Sequence, residues 1–331
     1  MLILSRSEVE RLLDLDALVE ALAAAMAELS AGAASMPART GAIVEERDGV
    51  LGVMPAYLPG AGALTTKLVS LFPRNAGTSL PTHQAVIAAF DATSGQPLAL
   101  MDGTYITAAR TAAGSALATR LLARPDSAVM AVLGTGVQAR AHAAAVPRML
   151  SLREIRVAGR DPEKAAALAR EISDQLGVAA SGAASYAEAL DGADVVCATT
   201  HSLDPVVRRE WLSPGVHVNS VGHQAEGGEV DAATVADAVV VVESRASALA
   251  PYPAGAGDLV GPIRDGVIDE EHIHAEIGEL VSGTRPGRTS SDQITLYKSV
   301  GVAVQDAAAA ALVLSAARSA GAGVEVDLGT G

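Results

Sequence analysis

The residues best suited to chemistry stand in one stretch, VMAVLGTGVQARAHAAA, from Val129 to Ala145. The apolar run Val129 to Leu133 predicts a buried strand, Gly134-Thr135-Gly136 a turn, and Gln138 to Ala145 the opening of a helix. Strand, Gly-x-Gly-x-x-Ala, helix is the spacing that cradles a dinucleotide. Gly134 permits the tight turn, and Gly136 lets the backbone approach a pyrophosphate. Ala139, in the third position, lets helix and strand pack closely. Thr135, Val137 and Gln138 complete the loop, and the first N–H groups of the helix add the positive end of its dipole. An ordinary strand-to-helix turn has the same outline. The flanking apolar run and helix favour the nucleotide.

Further residues fall where such a fold places its ligand contacts. The second strand ends in Ala158-Gly159-Arg160-Asp161. An acid at this distance from the glycine turn holds the ribose hydroxyls, whereas an Arg accommodates a 2′-phosphate. Arg160 comes first, so NADP is the expected cofactor and NAD the alternative; a solvated loop Arg is the plainer reading. Thr199 and Thr200, in DVVCATTHS, either line the nicotinamide ring or form a polar strand end. Cys197 lies inside that apolar strand and reads as a structural thiol, not a nucleophile. Three cations precede the glycine turn: Arg39 after a proline, Lys67 in mid-strand, and Arg110 in the first turn of an Ala-rich helix. A cation in a first turn is disfavoured by the helix dipole unless an anion is near. Together the three would hold a carboxylate; the alternative is three unrelated surface charges.

The elements that must position these residues fall into two textures. Ser7 to Leu29 predicts a helix opened by a Ser7/Glu10 capping box. Gly41–Val44 with Val50–Val53, then Leu64–Leu71, Val86–Asp91 and Pro97–Met101, predict an antiparallel sheet, and Thr107–Ala123 a helix. From Val129 strands and helices alternate, which predicts an α/β, doubly wound parallel sheet. A short helix is expected over 270–279 and a last one over Val300–Ala317, interrupted by Gln305 and Asp306 and returning to the first domain. The expected domains are 1–118 with 299–331, and 119–298.

Composition narrows the partners. The 331 residues suit two domains, and the formal charge of −14 disfavours nucleic acid and anionic membrane surfaces. The single cysteine excludes an internal disulfide and a cysteine-based zinc site, so no metal is expected and a reducing, cytoplasmic setting fits. No apolar run reaches the ~20 residues of a membrane span.

MPARTGAI, GVMPAYLP, LTTKLVSLFPRN, LPTHQAVIAAFDATSGQPLALMDGTYITAARTAA, LGTGVQARAH and DQITLYKSVGVAVQDAAAA resemble the ornithine cyclodeaminase/mu-crystallin family along nearly the whole chain. The resemblance implies a Rossmann-type nucleotide domain, an α+β substrate and dimerisation domain built from both chain ends, an NAD(P)-dependent enzyme and a homodimer. It implies that Arg39, Lys67 and Arg110 bind the carboxylate of an amino or imino acid. It brings Thr82 to the site, and Val221 and Gly222 beside the cofactor. One departure bears on the reaction. Cyclodeaminases and related alanine dehydrogenases carry an acid/base Asp where this chain has Gln224, and the cyclodeaminase-type Glu before Met54-Pro55 is missing. The shorter loop is similar to the branch that reduces cyclic ketimines, pyrroline-2-carboxylate or piperideine-2-carboxylate, to proline or pipecolate. A protonated cyclic iminium needs orientation more than a strong acid. His223 is expected to assist proton delivery, with His83 the alternative; both also read as structural. The rival expectations are an alanine-type dehydrogenase, a cyclodeaminase using Glu226 or Glu229 as base, and a crystallin-like protein that binds NADP without turnover.

Overall fold

The computed structural model describes residues 1–223, 227–251 and 255–329. The chain divides into two compact units, Met1–Arg110 with Val302–Gly331, and Thr111–Gly301. The divisions fall inside a helix and just before another, not at the expected 118/119 and 298/299.

The first unit opens with strand β1 (Leu2–Leu4) and helices α1 (Arg6–Leu12) and α2 (Leu15–Ser30). Strands β2 (Thr40–Val44), β3 (Gly49–Leu58), β4 (Ala63–Leu71), β5 (His83–Asp91) and β6 (Pro97–Asp102) follow, and then helix α3 (Gly103–Leu122). The expected single N-terminal helix is two. Ser5, not Ser7, forms the capping box, with Glu8. Asp14 then accepts from the Ala17 N–H at 2.8 Å and starts a second helix, because a short acidic side chain at that point competes for the free N–H groups. Arg110 is not in a first turn either. Asp102 accepts from the Tyr105 N–H at 2.8 Å, so α3 begins at Gly103 and Arg110 lies about two turns inside it.

In the second unit β7 (Val129–Leu133), α4 (Val137–Ala145), β8 (Glu154–Ala158), α5 (Pro162–Leu176), β9 (Ala179–Gly182), α6 (Tyr186–Leu190), β10 (Val195–Ala198) and β11 (His217–Ser220) alternate as expected. Then come α7 (Ala232–Asp237), β12 (Val239–Val242), α8 (Arg245–Ala248), α9 (Gly257–Arg264), β13 (Ile273–Glu276), α10 (Ile277–Val281) and β14 (Thr295–Lys298). All eight strands are parallel, in the order β13-β12-β14-β11-β10-β7-β8-β9. The order reverses at β7, and the carboxyl ends of β7 and β10 frame the crevice where such sheets bind ligands. Val129, Ala131, Leu133, Val196, Val218 and Leu296 fill the core with small aliphatic side chains. The expected helix over 270–279 is instead a 3-10 turn, β13 and the short α10. Ile273 and Ala275 are buried in alternation, the period of a strand.

The chain closes in the first unit with α11 (Ala303–Ala320) and β15 (Val324–Glu325). This unit's sheet has the order β15-β1-β6-β5-β4-β3-β2, antiparallel except for β1 beside β6. Helix α11 packs against α2, β3 and β4. Among the described residues no helix is long and apolar enough to cross a membrane.

Candidate active site

In the second unit the glycine turn has the form its sequence implies. All five residues of β7 are buried, and Gly134 turns the chain at φ +118°, a conformation L side chains rarely adopt. A Cβ there would meet Thr199 Oγ1 at 2.7 Å and the Thr199 carbonyl oxygen at 3.0 Å. Thr199 thus braces the turn from below: its N–H and its hydroxyl both donate to the Leu133 carbonyl, at 2.9 and 2.7 Å. Thr135 packs close to Gly159, where a Cβ would come within 3.0 Å of its methyl. Gly136 is the N-cap of α4, no side chain caps that end, and nothing would obstruct a Cβ on Gly136. The opening N–H groups of Val137 and Gln138 therefore face no capping side chain, and Ala139 is fully buried beneath them. The buried Gln138 Oε1 has no hydrogen-bond partner among the described residues. An open cradle of N–H donors and an orphaned polar atom fit a bound dinucleotide.

Arg160 is exposed at the end of β8 and makes no ion pair with a described residue. Asp161 is engaged instead: it caps α5 by accepting from the N–H groups of Glu163 and Lys164, at 3.1 and 3.2 Å. Cys197 is buried and its thiol is pushed up to about 12 by burial, so it stays protonated as expected of a structural residue.

The later strand ends lead to a buried network absent from the sequence-based expectations. Glu229 is fully buried and accepts from the Thr200 N–H, the Ser220 hydroxyl at 3.0 Å and the Gly222 N–H at 2.7 Å. Lys298 pairs with buried Asp258 and donates to Ser220 Oγ at 3.0 Å and the Gly222 carbonyl at 2.6 Å. Thr200 and Gly222 are therefore fixed through their backbones, while Val221 donates to the Ala198 carbonyl at 3.1 Å. Glu229, an expected alternative base, has both oxygens occupied as an anchor. His223 is half-buried beside Gly222. Gln224 and Glu226 lie outside the described residues.

In the first unit Lys67 and Arg110 meet on one carboxylate. Lys67 shares the inward face of β4 with Ala63 and Thr65, and is 2% exposed. Its Nζ lies 2.7 Å from Asp306 Oδ2. Arg110 Nε donates to Asp306 Oδ1 at 3.2 Å, and its Nη1 to Gln305 Oε1 at 3.1 Å. Burial lowers the Lys67 ammonium to about 8; Asp306 opposes this, while Arg110 and Arg39 add to it. Arg39 thus belongs to the same electrostatic cluster. His83 does too: burial, then Lys67 and Arg110, bring its imidazole down to about 4. Thr82 is exposed, and its carbonyl accepts from the Phe72 N–H at 2.8 Å. Gln305 and Asp306 escaped prediction because they read as interruptions of an apolar helix. Their place in its first turn was the available signal, since a buried acid needs a cation. Among the described residues no group of three or more His, Cys, Asp and Glu stands ready to hold a metal.

The profile of the ornithine cyclodeaminase/mu-crystallin family matches residues 1–321, and the chain belongs to that family. It is similar to the ketimine reductase mu-crystallin of Mus musculus, 39% identical over 300 residues, 89% of this chain and 90% of that protein. Among solved structures it resembles the Thermococcus litoralis Delta(1)-pyrroline-2-carboxylate reductase in complex with NADH and L-proline, at 40% identity and a TM-score of 0.93, over 98% of this chain and all (100%) of that one. An archaeal alanine dehydrogenase dimer with bound NAD is also similar, with 33% identity, a TM-score of 0.92 and 99% of each chain covered.

Proposed function

We propose that this protein is an NAD(P)H-dependent reductase of a cyclic ketimine carboxylate, converting pyrroline-2-carboxylate or piperideine-2-carboxylate to L-proline or L-pipecolate. The observation that carries this reading is the first unit's cluster. Two cations, Lys67 and Arg110, share one internal carboxylate, Asp306, and Arg39 adds positive charge felt by Lys67, which supports the carboxylate of a ligand as the cluster's further partner. The names of the similar proteins, a ketimine reductase and a pyrroline-2-carboxylate reductase, support the same chemistry.

The residues divide the work. Bound NAD(P)H supplies the hydride. Gly134, Thr135, Gly136, Val137 and Gln138 form its pyrophosphate cradle, braced by Thr199. Arg160 receives a 2′-phosphate, which favours NADPH, because Asp161 is committed to its helix cap. Arg39 and Arg110 orient the substrate carboxylate. Lys67 holds the proton for the imine nitrogen, since an acid near neutrality serves best at neutral pH. His83, lowered to about 4, is neutral there and supplies no proton. The first unit is then the substrate-binding domain and the second the dinucleotide-binding domain. Ile43, Leu51, Leu71 and Val86, on neighbouring strands of the first unit, are exposed apolar side chains and support a homodimer formed through that unit. A reducing, cytoplasmic setting accords with the single buried free thiol.

The test follows NADPH and NADH absorbance with each cyclic imine. Rapid consumption with either ring is expected, faster with NADPH. No consumption with either ring, together with ammonia-dependent reduction of a 2-oxo acid, would overturn it in favour of an amino-acid dehydrogenase.

A further inference from the structure

We propose that Asp306 is the positioning residue of the proton donor: it holds Lys67 as an ammonium beside two arginines and fixes Arg110, so that both present their remaining donors to the substrate. The proposal rests on the ketimine-reductase reading above.

Three features of Asp306 point this way. It sits in the first turn of α11, where the helix dipole favours an anion. It is 1% exposed, so it is shielded from solvent and its charge acts at low dielectric. Its two oxygens are divided between the two cations, Oδ2 to Lys67 at 2.7 Å and Oδ1 to Arg110 at 3.2 Å. Gln305, the preceding residue, takes a second donor of the same guanidinium at 3.1 Å. Arg110 is thus held through Nε and Nη1, and Nη2 is left without a partner among the described residues.

The groups that act on Lys67 come from every side. Asp306 lies on α11, Arg110 on α3, Arg39 before β2 and His83 at the start of β5, while the residues paired with Lys67 on β3 and β5 are the apolar Met54 and Ile87. His83 is neutral near pH 7, so among the described residues that act on Lys67 the negative charge is Asp306, set against two arginines. Without it, Lys67 would be buried among like charges and would release its proton. The reaction needs that proton. One N–H bond of the Lys67 ammonium breaks and one forms on the imine nitrogen. The C=N carbon accepts the hydride and is reduced, NAD(P)H is oxidised to NAD(P)⁺, and the neutral Lys67 amine regains a proton from solvent. Asp306 stays ionised throughout, its own pKa lowered by both cations in spite of burial.

The chain has three lysines, Lys67, Lys164 and Lys298, so ¹³Cε-lysine NMR of the whole protein reads Lys67 directly, with Lys67→Met assigning its signal. In Asp306→Asn, the Lys67 titration and the alkaline limb of the kcat/KM profile with pyrroline-2-carboxylate and NADPH should both move down by at least about one pH unit. The kcat at neutral pH should fall at least about tenfold. Asp306→Glu, which keeps the charge, should restore the wild-type titration and limb. A uniform loss of activity with an unmoved limb and an unmoved Lys67 titration would overturn the proposal. If Asp306→Asn does not fold, an Asp306→Glu variant that folds without a normal limb would do so. Absence of imine reduction by the wild type would instead refute the functional reading, whatever the Lys67 titration shows.

Discussion

Each unit of the molecule buries a lysine against a carboxylate, and the two arrangements are opposite in charge. In the first unit two cations share one acid, Asp306, and Arg39 adds a third positive group. In the second, one cation, Lys298, is grouped with two acids, Asp258 and Glu229, and backbone N–H groups take up the remaining acceptors. Burying a charge is costly unless it is paired and hydrogen-bonded, and the second cluster meets that demand internally. It is a closed network, and its product is rigidity: it pins Thr200, Ser220 and Gly222 at the strand ends. In the first cluster Lys67 and Arg110 share a single acid, and under the proposed function a carboxylate ligand completes it. An open cluster reads as a binding site and a closed one as a scaffold.

This contrast is broken most severely by removing a cation from the open cluster. Arg110→Ala and Lys67→Ala should each lower kcat/KM for a cyclic imine carboxylate by about a hundredfold or more, since a hydrogen bond to a charged group contributes about 1.5–3 kcal/mol and a general acid about 10²–10⁴-fold. Near-normal turnover in both would show that the cluster is structural. In the closed cluster, Glu229→Gln should cost about 2 kcal/mol of stability by denaturant unfolding, because charge-assisted bonds to Gly222 and Ser220 weaken. Its KM for the imine should change less than its affinity for the cofactor. Arg160→Ala should cut the NADPH preference over NADH by about tenfold, one phosphate contact's worth, and leave NADH kinetics alone.

The smallest effect is in pH. Burial lowers His142 in the second unit to about 4, while His83 is brought to a similar value partly by Lys67 and Arg110. A depressed histidine favours the folded state above its unfolded value near 6.5. That stability is lost as pH falls from about 6.5 toward about 4, because there the unfolded chain binds protons the folded one refuses. Thermal midpoints should therefore fall across that window. Imidazole NMR separates the two histidines: Lys67→Ala should raise the His83 titration and leave His142 where it is.

Much of this architecture was legible in the chain. The apolar run and glycines at Val129–Gly136 announced the nucleotide turn because local sterics alone dictate it. Lys67 was visible because a cation in an alternating apolar strand is anomalous. What escaped depends on distant partners. Leu2–Leu4 and Thr295–Lys298 are too short to show a period, and they become strands only by pairing with β6 and with β11 and β12. Asp306 looked like a blemish in an apolar helix, since Lys67 and Arg110 lie more than a hundred residues away in sequence. Asp258 and Lys298 gave no local sign at all, and Glu229 entered only as an alternative base, for each is an ordinary surface residue type until the fold buries them together. Thr82 entered by resemblance, and the structure leaves its side chain on the surface.

The most direct test of the open cluster compares two product-like ligands that differ only in the group it should grip. L-proline and L-prolinamide have the same ring and amine, and only the first has a carboxylate. Measured as inhibitors of imine reduction, proline should bind at least about tenfold more tightly than prolinamide, and Arg110→Ala should abolish the difference. Equal inhibition by the two in the wild-type protein would contradict the assignment of Arg39 and Arg110 as a carboxylate clamp.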